Sequence, residues 1–322
     1  MRMKERRWEP MMKIVYMGTP ELAGVILKDL LHSRHEVIGA VCQPDKPKGR
    51  GGKMAFPPVK EIALQAGIPV FQPLKVKENE FFETLQELNP DAIVVAAYGR
   101  ILPKRILDLP KYGCINVHAS LLPKYRGAAP IQWPVINGEE KTGITIMHMD
   151  AGIDTGDMIL KEEIILDKKE TAGSLHDKLA ACGGPLLLTA LDLIEEGKAV
   201  REAQKEEEAT FTSMLTKELG HIDFTKSAVE IERLIRGLNP WPSAYCYLDG
   251  KTFKIWDGDV LEEEKEEINK IGSIVEINKD SIVIQTGKGL LAVKELQLEG
   301  KKRMMTEDFL RGYSIKEGVI LQ

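Results

Sequence analysis

The sequence predicts an α/β fold: a Rossmann-like, doubly wound and mostly parallel sheet, followed by a small C-terminal β-barrel. An apolar run from Lys13 to Met17 passes through a Gly-Thr-Pro turn into an amphipathic stretch, Glu21 to Leu31, and a second run follows at Val37 to Gln43. Such alternation of strand and helix is typical of a parallel sheet. Asp91 to Tyr98 is predicted to be a buried central strand. Beyond Phe211 short strands and turns alternate, which indicates a barrel.

The sequence of the first turn predicts where the first helix begins, and it disfavours a nicotinamide cofactor. Thr19 is expected to be the N-cap, with Pro20 at the first helical position. The turn contains Gly18 and Gly24 but no G-x-G-x-x-G, and the second strand is followed by no clear ribose-binding acid. A nicotinamide-dependent dehydrogenase is therefore disfavoured.

The other elements of the first domain follow from the same patterns. Strands are predicted at 69–71, at 114–120, from Gly143 to Asp150 and from Met158 to Leu166. Helices are predicted at 59–66, at 78–88, from Ile131 to about Asn137, and from Ala172 to Glu195. The last of these is either one helix or two helices joined at Gly183-Gly184-Pro185.

The second domain is predicted to hold one helix and about five strands. The helix, from Ser227 to Leu238, is ended by the two prolines of Asn239-Pro240-Trp241-Pro242. The strands are predicted at 244–248, 252–256, 272–277, 281–285 and 290–298. This count fits an OB-like barrel.

We therefore divide the chain into four parts. Residues 1–11 form an N-terminal extension, 12–195 the first domain, 196–210 a linker and 211–322 the C-terminal domain. The extension precedes Met11-Met12, so the sequence leaves open whether translation starts at Met1, Met11 or Met12. The linker is polar, and its acidic run Glu206–Glu208 is expected to be solvated.

Composition narrows the class of protein. The formal net charge of −5 means that any contact with RNA phosphates must rely on local basic patches. The longest apolar run, Ala92 to Tyr98, is too short to cross a bilayer, and no signal-peptide pattern follows the start. A cytoplasmic location is expected. The four cysteines lie far apart, which predicts reduced thiols, no zinc site and metal-independent chemistry.

One such basic patch is the loop from Pro44 to Pro58. It carries Lys46, Lys48, Arg50 and Lys53 among glycines and prolines. The spacing does not fit a phosphate-binding P-loop, which needs G-x-x-x-x-G-K-[ST]. A solvated flexible loop with incidental charge is the simpler alternative.

The segment Cys114 to Gln132 is where a buried strand gives way to polar side chains. Because side chains alternate along a strand, Asn116 and His118 point the same way, opposite to Ile115 and Val117. An amide donor and an imidazole therefore lie side by side at the end of a strand. A core histidine that is satisfied by backbone is the alternative, but the pairing with Asn116 favours catalysis.

Asp154 is the third candidate residue, in a glycine-rich loop between two strands. An aspartate in a turn usually caps backbone N–H groups, which is the alternative here. Beside Asn116 and His118, a carboxylate would instead orient the imidazole and favour its protonated form. Asp150 and Asp157 are predicted to be turn residues and His148 a structural histidine.

These motifs together resemble the folate-dependent formyltransferases. The resemblance rests on Asn116-x-His118, on Ser120-Leu121-Leu122-Pro123 and on the stretch from His148 to Asp157. With Asn239-Pro240-Trp241-Pro242 and the C-terminal domain, the whole chain is similar to the members that act on tRNA. The match runs from about Lys13 almost to the C-terminus.

The resemblance implies an activity, a mechanism and partners. The expected reaction moves the formyl group of 10-formyltetrahydrofolate to the α-amino group of methionine on initiator tRNA. Asn116 would stabilise the oxyanion, His118 would relay protons and Asp154 would orient His118 or position a water. Ser120, Leu121, Leu122 and Pro123 would form a folate-binding wall, with residues 98–102 bordering the same cavity.

The resemblance also implies how tRNA is bound. Residues 12–195 would be the catalytic domain and 211–322 a tRNA-binding domain. Arg50 matches an arginine in a loop that inserts into the acceptor stem, and Lys46, Lys48 and Lys53 would assist it. Lys301-Lys302-Arg303 is a second candidate phosphate patch. A monomer is expected.

Three alternatives stay open at this point. The chain could hydrolyse 10-formyltetrahydrofolate, because hydrolases share the domain pair. It could formylate another amine, such as an amino sugar or glycinamide ribonucleotide, although the last family resembles only the first two thirds of the chain. A non-catalytic tRNA-binding protein is the third alternative, which the set Asn116, His118 and Asp154 disfavours.

Overall fold

The computed structural model describes residues 12–48, 53–262 and 270–322. The chain packs as two compact units. The first comprises residues up to Gly127, 142–164 and 176–211, and the second comprises 128–141, 165–175 and 212–322. The predicted linker thus packs in the first unit, and two segments of the predicted first domain, 128–141 and 165–175, pack in the second.

Among the described residues before position 200 there are ten strands and six helices. The strands are β1 Lys13–Gly18, β2 Glu36–Val41, β3 Lys46–Lys48, β4 Lys53–Ala55, β5 Val70–Phe71, β6 Ala92–Ala96, β7 Cys114–His118, β8 Arg126–Gly127, β9 Lys141–His148 and β10 Met158–Ile165. The helices are α1 Glu21–Leu31, α2 Pro58–Gln65, α3 Asn79–Leu88, α4 Lys104–Leu107, α5 Gln132–Asn137 and α6 Ala172–Glu195. Helix α5 belongs to the second unit.

The first unit is built on a seven-stranded sheet in the order β10-β9-β7-β6-β1-β2-β5. The pairs from β7 to β5 are parallel, whereas β9 runs antiparallel to β7. This confirms the predicted doubly wound, mostly parallel sheet. The chain reverses its direction of winding between β1 and β6, and ligands of such sheets bind outside the carboxyl ends of the strands near this point. Strand β7, two places from β1, ends at the same edge with His118.

The start of α1 differs from the prediction. Pro20, not Thr19, is the N-cap, and no side chain caps the helix. The Thr19 hydroxyl instead lies 3.4 Å from the carbonyl oxygen of Tyr98 and 3.3 Å from the amide nitrogen of Gln43. Thr19 therefore ties together three loops at the carboxyl edge of the sheet, which helical periodicity cannot predict.

Helix α6 is one continuous helix with Pro185 inside it. The pair Gly183-Gly184 does not join two helices but permits close packing. A Cβ atom on Gly183 would lie 3.1 Å from Ile26 and Ile144, and one on Gly184 would lie 1.9 Å from Asp29. At Gly184 a side chain would require Asp29 of α1 to move, whereas at Gly183 it would be a tight fit between α1 and β9.

The second unit contains an antiparallel sheet. Its further elements are β11 Phe211–Thr212, α7 Ala228–Gly237, β12 Ala244–Leu248, β13 Lys251–Glu262, β14 Ile274–Ile277, β15 Ile282–Gln285, β16 Leu290–Leu298, β17 Met304–Met305 and α8 Thr306–Gly312. Phe211 itself packs with the first unit. The sheet order is β12-β13-β16-β15-β14, and β17 pairs with β16. Five strands agree with the prediction, and the sheet is consistent with an OB-like barrel, although the hydrogen-bonded path between described residues stays open.

Helix α7 begins with a capping box that the sequence contains in full. The Ser227 side chain accepts from the Glu230 amide, and the Glu230 carboxylate accepts from the Ser227 amide. Strand β17 and helix α8 were not predicted, because each is short and lies in a charged stretch without clear periodicity.

Candidate active site at the end of strand β7

Strand β7 presents Asn116 and His118 from a fully buried backbone. Both side chains are buried, with exposed fractions of 8% and 6%. Their neighbours Ile115 and Val117 point to the opposite face and are equally buried. The predicted alternation is therefore confirmed. Because both polar side chains are buried, each costs free energy unless it has a hydrogen-bond partner.

The His118 ring has a different partner on each nitrogen. Nε2 lies 3.1 Å from the carbonyl oxygen of Tyr125. A carbonyl oxygen only accepts, so Nε2 carries the proton and donates it. Nδ1 is then the nitrogen that lacks a proton in the neutral ring, and it faces Asp154 Oδ1 at 3.7 Å.

The Asp154 carboxylate is held by the turn that follows β7. Its Oδ2 accepts a hydrogen bond of 2.8 Å from the Gly127 amide, while Oδ1 faces His118. The distance of 3.7 Å is too long for a direct hydrogen bond but lies within the range of an ion pair if the imidazole is charged. The structure thus brings Asp154 and His118 together, although they are 36 positions apart in the sequence.

The 149–157 loop, which connects β9 to β10, carries Asp154 in a left-handed conformation with φ of 53°. Asp150 shapes the loop as a turn residue, because its Oδ1 accepts from the Gly152 amide and the Thr155 hydroxyl. Gly156 allows the loop to close, since a Cβ there would lie 1.8 Å from the His148 carbonyl oxygen. The turn role predicted for Asp150 is confirmed.

The Asn116 amide is buried but makes no hydrogen bond to any residue that the structure describes. Its polar atoms are not among the fully buried side-chain atoms that lack a partner, so the amide keeps contact with solvent. An unpaired donor at the ligand-binding edge of the sheet is available to an oxygen atom of a ligand.

The four residues after the strand form a turn bonded to β9. The Ser120 hydroxyl donates to the Lys124 carbonyl oxygen at 2.7 Å. The Thr145 hydroxyl donates to the Ser120 carbonyl oxygen at 2.7 Å and accepts from the Leu122 amide at 3.0 Å. Leu122 packs against methionines of β9 and β10, Pro123 is buried and Leu121 is half-buried. The turn is therefore a rigid wall, and the Ser120 hydroxyl is already used inside it.

Tyr98, expected at the border of the same cavity, lies just beyond β6 and is buried. Burial raises the pKa of its hydroxyl to about 12, so the group stays neutral. Its carbonyl oxygen accepts from the Gln43 side chain at 3.0 Å. Gln43, which the sequence analysis did not single out, helps to fix this edge.

Two residues that sequence reasoning missed lie beneath the Asp154 loop. Arg126 is 1% exposed and donates through Nε to Gln204 Oε1 at 3.0 Å. Gln204 Nε2 in turn donates to the carbonyl oxygens of Asp154 and Gly156, at 2.8 and 2.7 Å. Gln204 lies in the predicted linker, where a polar composition hid a residue with specific contacts.

The predicted basic loop is only partly described. Lys46 and Lys48 lie on β3 and Lys53 on β4, and the two strands pair as an antiparallel hairpin. Lys46 is exposed, whereas Arg50 lies outside the described residues. The hairpin base is fixed because Asp45 binds Lys60 at 2.7 Å.

The second basic patch is weaker than the sequence indicates. Arg303 forms a two-point ion pair with Glu295 and lies over the Trp256 ring at 4.5 Å. Its charge is therefore already neutralised within the second unit.

Histidine and cysteine side chains elsewhere agree with structural roles. Burial lowers the pKa of His148, and nearby Arg201 adds to this effect. The cysteines are all free thiols, and burial raises the pKa of Cys42 and Cys182 to about 11. Within the described ranges, no cluster of three or more His, Cys, Asp or Glu could hold a metal ion. Nor does any helix described here have the length and apolarity to span a bilayer.

Comparison with known proteins identifies relatives over nearly the whole chain. Residues 12–191 match the family described as "Formyl transferase", and residues 214–314 match "Formyl transferase, C-terminal domain". The methionyl-tRNA formyltransferase of Agathobacter rectalis is 56% identical over 307 residues, covering 95% of this chain and 98% of that protein. The one from Clostridioides difficile is 52% identical over 310 residues, covering 96% and 100%.

Solved structures show the same fold at lower identity. An N-formyltransferase from Helicobacter canadensis, in complex with folinic acid and dTDP-3-aminofucose, has a TM-score of 0.64 and 20% identity, covering 87% of this chain and 97% of that one. HypX from Aquifex aeolicus, in complex with tetrahydrofolic acid, has a TM-score of 0.63 and 16% identity, covering 96% and 50%.

Proposed function

Because the chain belongs to the formyl transferase family, we propose that it transfers the formyl group of 10-formyltetrahydrofolate to the α-amino group of methionyl-tRNA. The product is N-formylmethionyl-tRNA, which serves translation initiation. The main support for this proposal is the sequence identity of 56% and 52%, across both domains, to two proteins named methionyl-tRNA formyltransferase.

Asn116 is proposed to stabilise the formyl oxygen during transfer. When an amine attacks the formyl carbon, this oxygen gains negative charge and needs a fixed donor. The Asn116 amide is buried and has no partner among the described residues, so it can donate without breaking an existing bond. This observation supports Asn116 as the group that binds the formyl oxygen.

His118 is proposed to carry the proton between the two nitrogens of the reaction. Its Nε2–H is used by the Tyr125 carbonyl, which leaves the Nδ1 lone pair to accept the proton of the attacking amine. The new carbon–nitrogen bond forms first and leaves the negative charge on the formyl oxygen. Nδ1 then returns the proton to the folate nitrogen as the bond between that nitrogen and the formyl carbon breaks. Asp154 would hold the charged imidazole in the interval, directly or through a water.

The folate supplies the formyl group, and the turn after β7 is proposed to form one wall of its site. Ser120 to Pro123 are bonded to β9, so the wall keeps its shape without the ligand. The half-buried Leu121 and the backbone of the turn are the groups that remain free to contact a pterin ring.

The tRNA is proposed to contact the hairpin loop and the C-terminal domain, residues 211–322. Lys46, Lys48, Arg50 and Lys53 supply four positive charges to an otherwise acidic chain. We divide the chain functionally as in the sequence analysis, with 12–195 for catalysis and 196–210 as the connection. We also propose that the protein is a monomer and acts in the cytoplasm, where methionine is attached to initiator tRNA.

A transfer assay tests the function against the alternatives. Purified protein is mixed with 10-formyltetrahydrofolate and methionyl-tRNA, with uncharged tRNA as the matched control. We expect formylmethionyl-tRNA to accumulate and little formate to be released with the control. Equal release of formate in both reactions would make the protein a hydrolase. Retention of tRNA on a gel without transfer would make it a binding protein.

A further inference from the structure

Gln204 makes two hydrogen bonds to the loop that carries Asp154. Its Nε2 donates to the carbonyl oxygens of Asp154 and Gly156, at 2.8 and 2.7 Å. Both protons of one amide are therefore used to hold one loop. A side chain 50 positions away in sequence from Asp154 thus fixes the backbone on both sides of Thr155.

Gln204 is itself fixed by a buried arginine. Arg126 Nε donates to Gln204 Oε1, and its Nη1 binds Glu206 at 2.8 Å. The arginine has almost no exposed surface, so its position is set by packing. Because Oε1 must face the guanidinium, the Gln204 amide can point only its Nε2 toward the loop.

The backbone around Gln204 is also tied to the structure on two sides. Glu202 and Met158 exchange backbone hydrogen bonds of 2.8 and 2.9 Å. Thr210 accepts from the Tyr125 amide through its hydroxyl and from the Arg126 amide through its carbonyl oxygen, both at 2.8 Å. Residues 202–210 thus form a fixed segment, which we call the brace, beneath the loop and the turn after β7.

Asp154 needs such support because its backbone is strained. A residue other than glycine at φ of 53° adopts a conformation that costs energy and persists only when the surroundings enforce it. The Gly127 amide holds the carboxylate, but the backbone of the loop is held by Gln204. Without Gln204 the loop could relax and turn Oδ1 away from His118.

We propose that Gln204 is a positioning residue for the reaction, which acts through Asp154 and touches no substrate. The inference rests on the proposed function, since it assigns Asp154 a role in proton transfer. The brace would then support the catalytic loop as well as connect the two domains.

The test compares Gln204→Met with Ala203→Met. Methionine matches glutamine in length but cannot donate to the carbonyl oxygens. Ala203 is an exposed neighbour whose side chain has no polar group. We expect kcat to fall about 10- to 100-fold in Gln204→Met, with KM for folate and tRNA within about twofold. The melting temperature should fall because Arg126 Nε loses its acceptor, so both proteins are assayed at a temperature at which the variant is fully folded. Ala203→Met should behave as the wild type. A wild-type kcat in Gln204→Met, or a loss matched by unfolding, overturns the inference.

A double-mutant cycle separates positioning from a merely structural role. In an Asp154→Asn background, adding Gln204→Met should lower kcat by less than about twofold, because the carboxylate that Gln204 positions is already absent. A second loss as large as the first would show that Gln204 acts independently of Asp154 and would overturn the inference.

Hydrogen exchange provides a readout that does not depend on activity. The Gly127 amide donates to Asp154 Oδ2, so it reports directly on the position of the loop. Gln204→Met should speed exchange at Gly127 and across residues 150–157, whereas Ala203→Met should not. Unchanged exchange overturns the inference even if the wild-type protein proves inactive, an outcome that would separately contradict the proposed function.

Discussion

His118 Nε2 lies 3.1 Å from the Tyr125 carbonyl oxygen, which leaves Nδ1 to face Asp154. Tyr125 lies in the turn that directly follows β7, so the strand and its own turn decide which imidazole nitrogen is available. A chain that ended the strand differently could hold the same histidine in the other tautomer.

Replacing His118 by glutamine should remove turnover while keeping the fold. The glutamine amide can still donate to the Tyr125 carbonyl oxygen but cannot accept and return a proton. We expect kcat to fall by about a hundred- to ten-thousandfold, with the affinity for methionyl-tRNA nearly unchanged. Single-turnover kinetics and tRNA binding, measured on the same preparation, check this. An equal loss of both would contradict the catalytic role of His118.

Replacing Asn116 by leucine should separate activity from stability. The change removes the proposed oxyanion donor, so kcat should fall about a hundred- to a thousandfold. Stability should not fall, because the Asn116 amide has no partner among the described residues whose bond could be lost. Urea unfolding next to formyl-transfer assays checks both parts. A marked loss of stability would mean that the amide holds the strand rather than a ligand.

Replacing Arg50 by alanine should weaken the use of tRNA without affecting folate. Loss of one phosphate contact should raise KM for methionyl-tRNA and make the salt dependence of binding shallower by about one charge. Lys28→Ala, at an exposed position near the end of helix α1 and outside both proposed tRNA contacts, is a control for the loss of one positive charge. Identical kinetics in the two variants would remove the hairpin loop from the proposed tRNA contacts.

His35 should make the protein less stable at mildly acidic pH. Burial lowers the pKa of its ring; Asp192, 3.6 Å away, opposes this effect and Arg34 reinforces it. Below pH about 6.5 His35 is protonated in the unfolded chain but stays neutral in the folded protein. The free energy of unfolding therefore falls as the pH falls toward the lowered pKa of His35.

Urea unfolding at pH 7 and 5.5 checks this expectation. The fall in the free energy of unfolding should be smaller in His35→Leu than in the wild type, because the variant no longer has this group to titrate. His148, whose pKa is also lowered by burial, is present in both proteins and cancels in the comparison. An equal fall in both would contradict the expectation.

The sequence by itself determined the architecture and the local part of the site. Strand and helix periodicity is a short-range property, so it predicted the parallel sheet, the antiparallel C-terminal strands and the placing of Asn116 and His118 on one face of β7. The turn role of Asp150 could also be predicted from the sequence, because its hydrogen-bond partners lie within five residues.

Only the tertiary structure decided what lies next to these residues. From the sequence we expect Asp154 to orient His118, but the distance of 3.7 Å, the tautomer set by Tyr125 and the two bonds from Gln204 are properties of the folded chain. Polar composition made residues 196–210 look like a solvated linker, since composition does not distinguish a side chain that faces water from one that faces a carbonyl oxygen. Hydrogen bonds between distant segments leave no periodic trace in the sequence, and for that reason the brace became visible only in the folded chain.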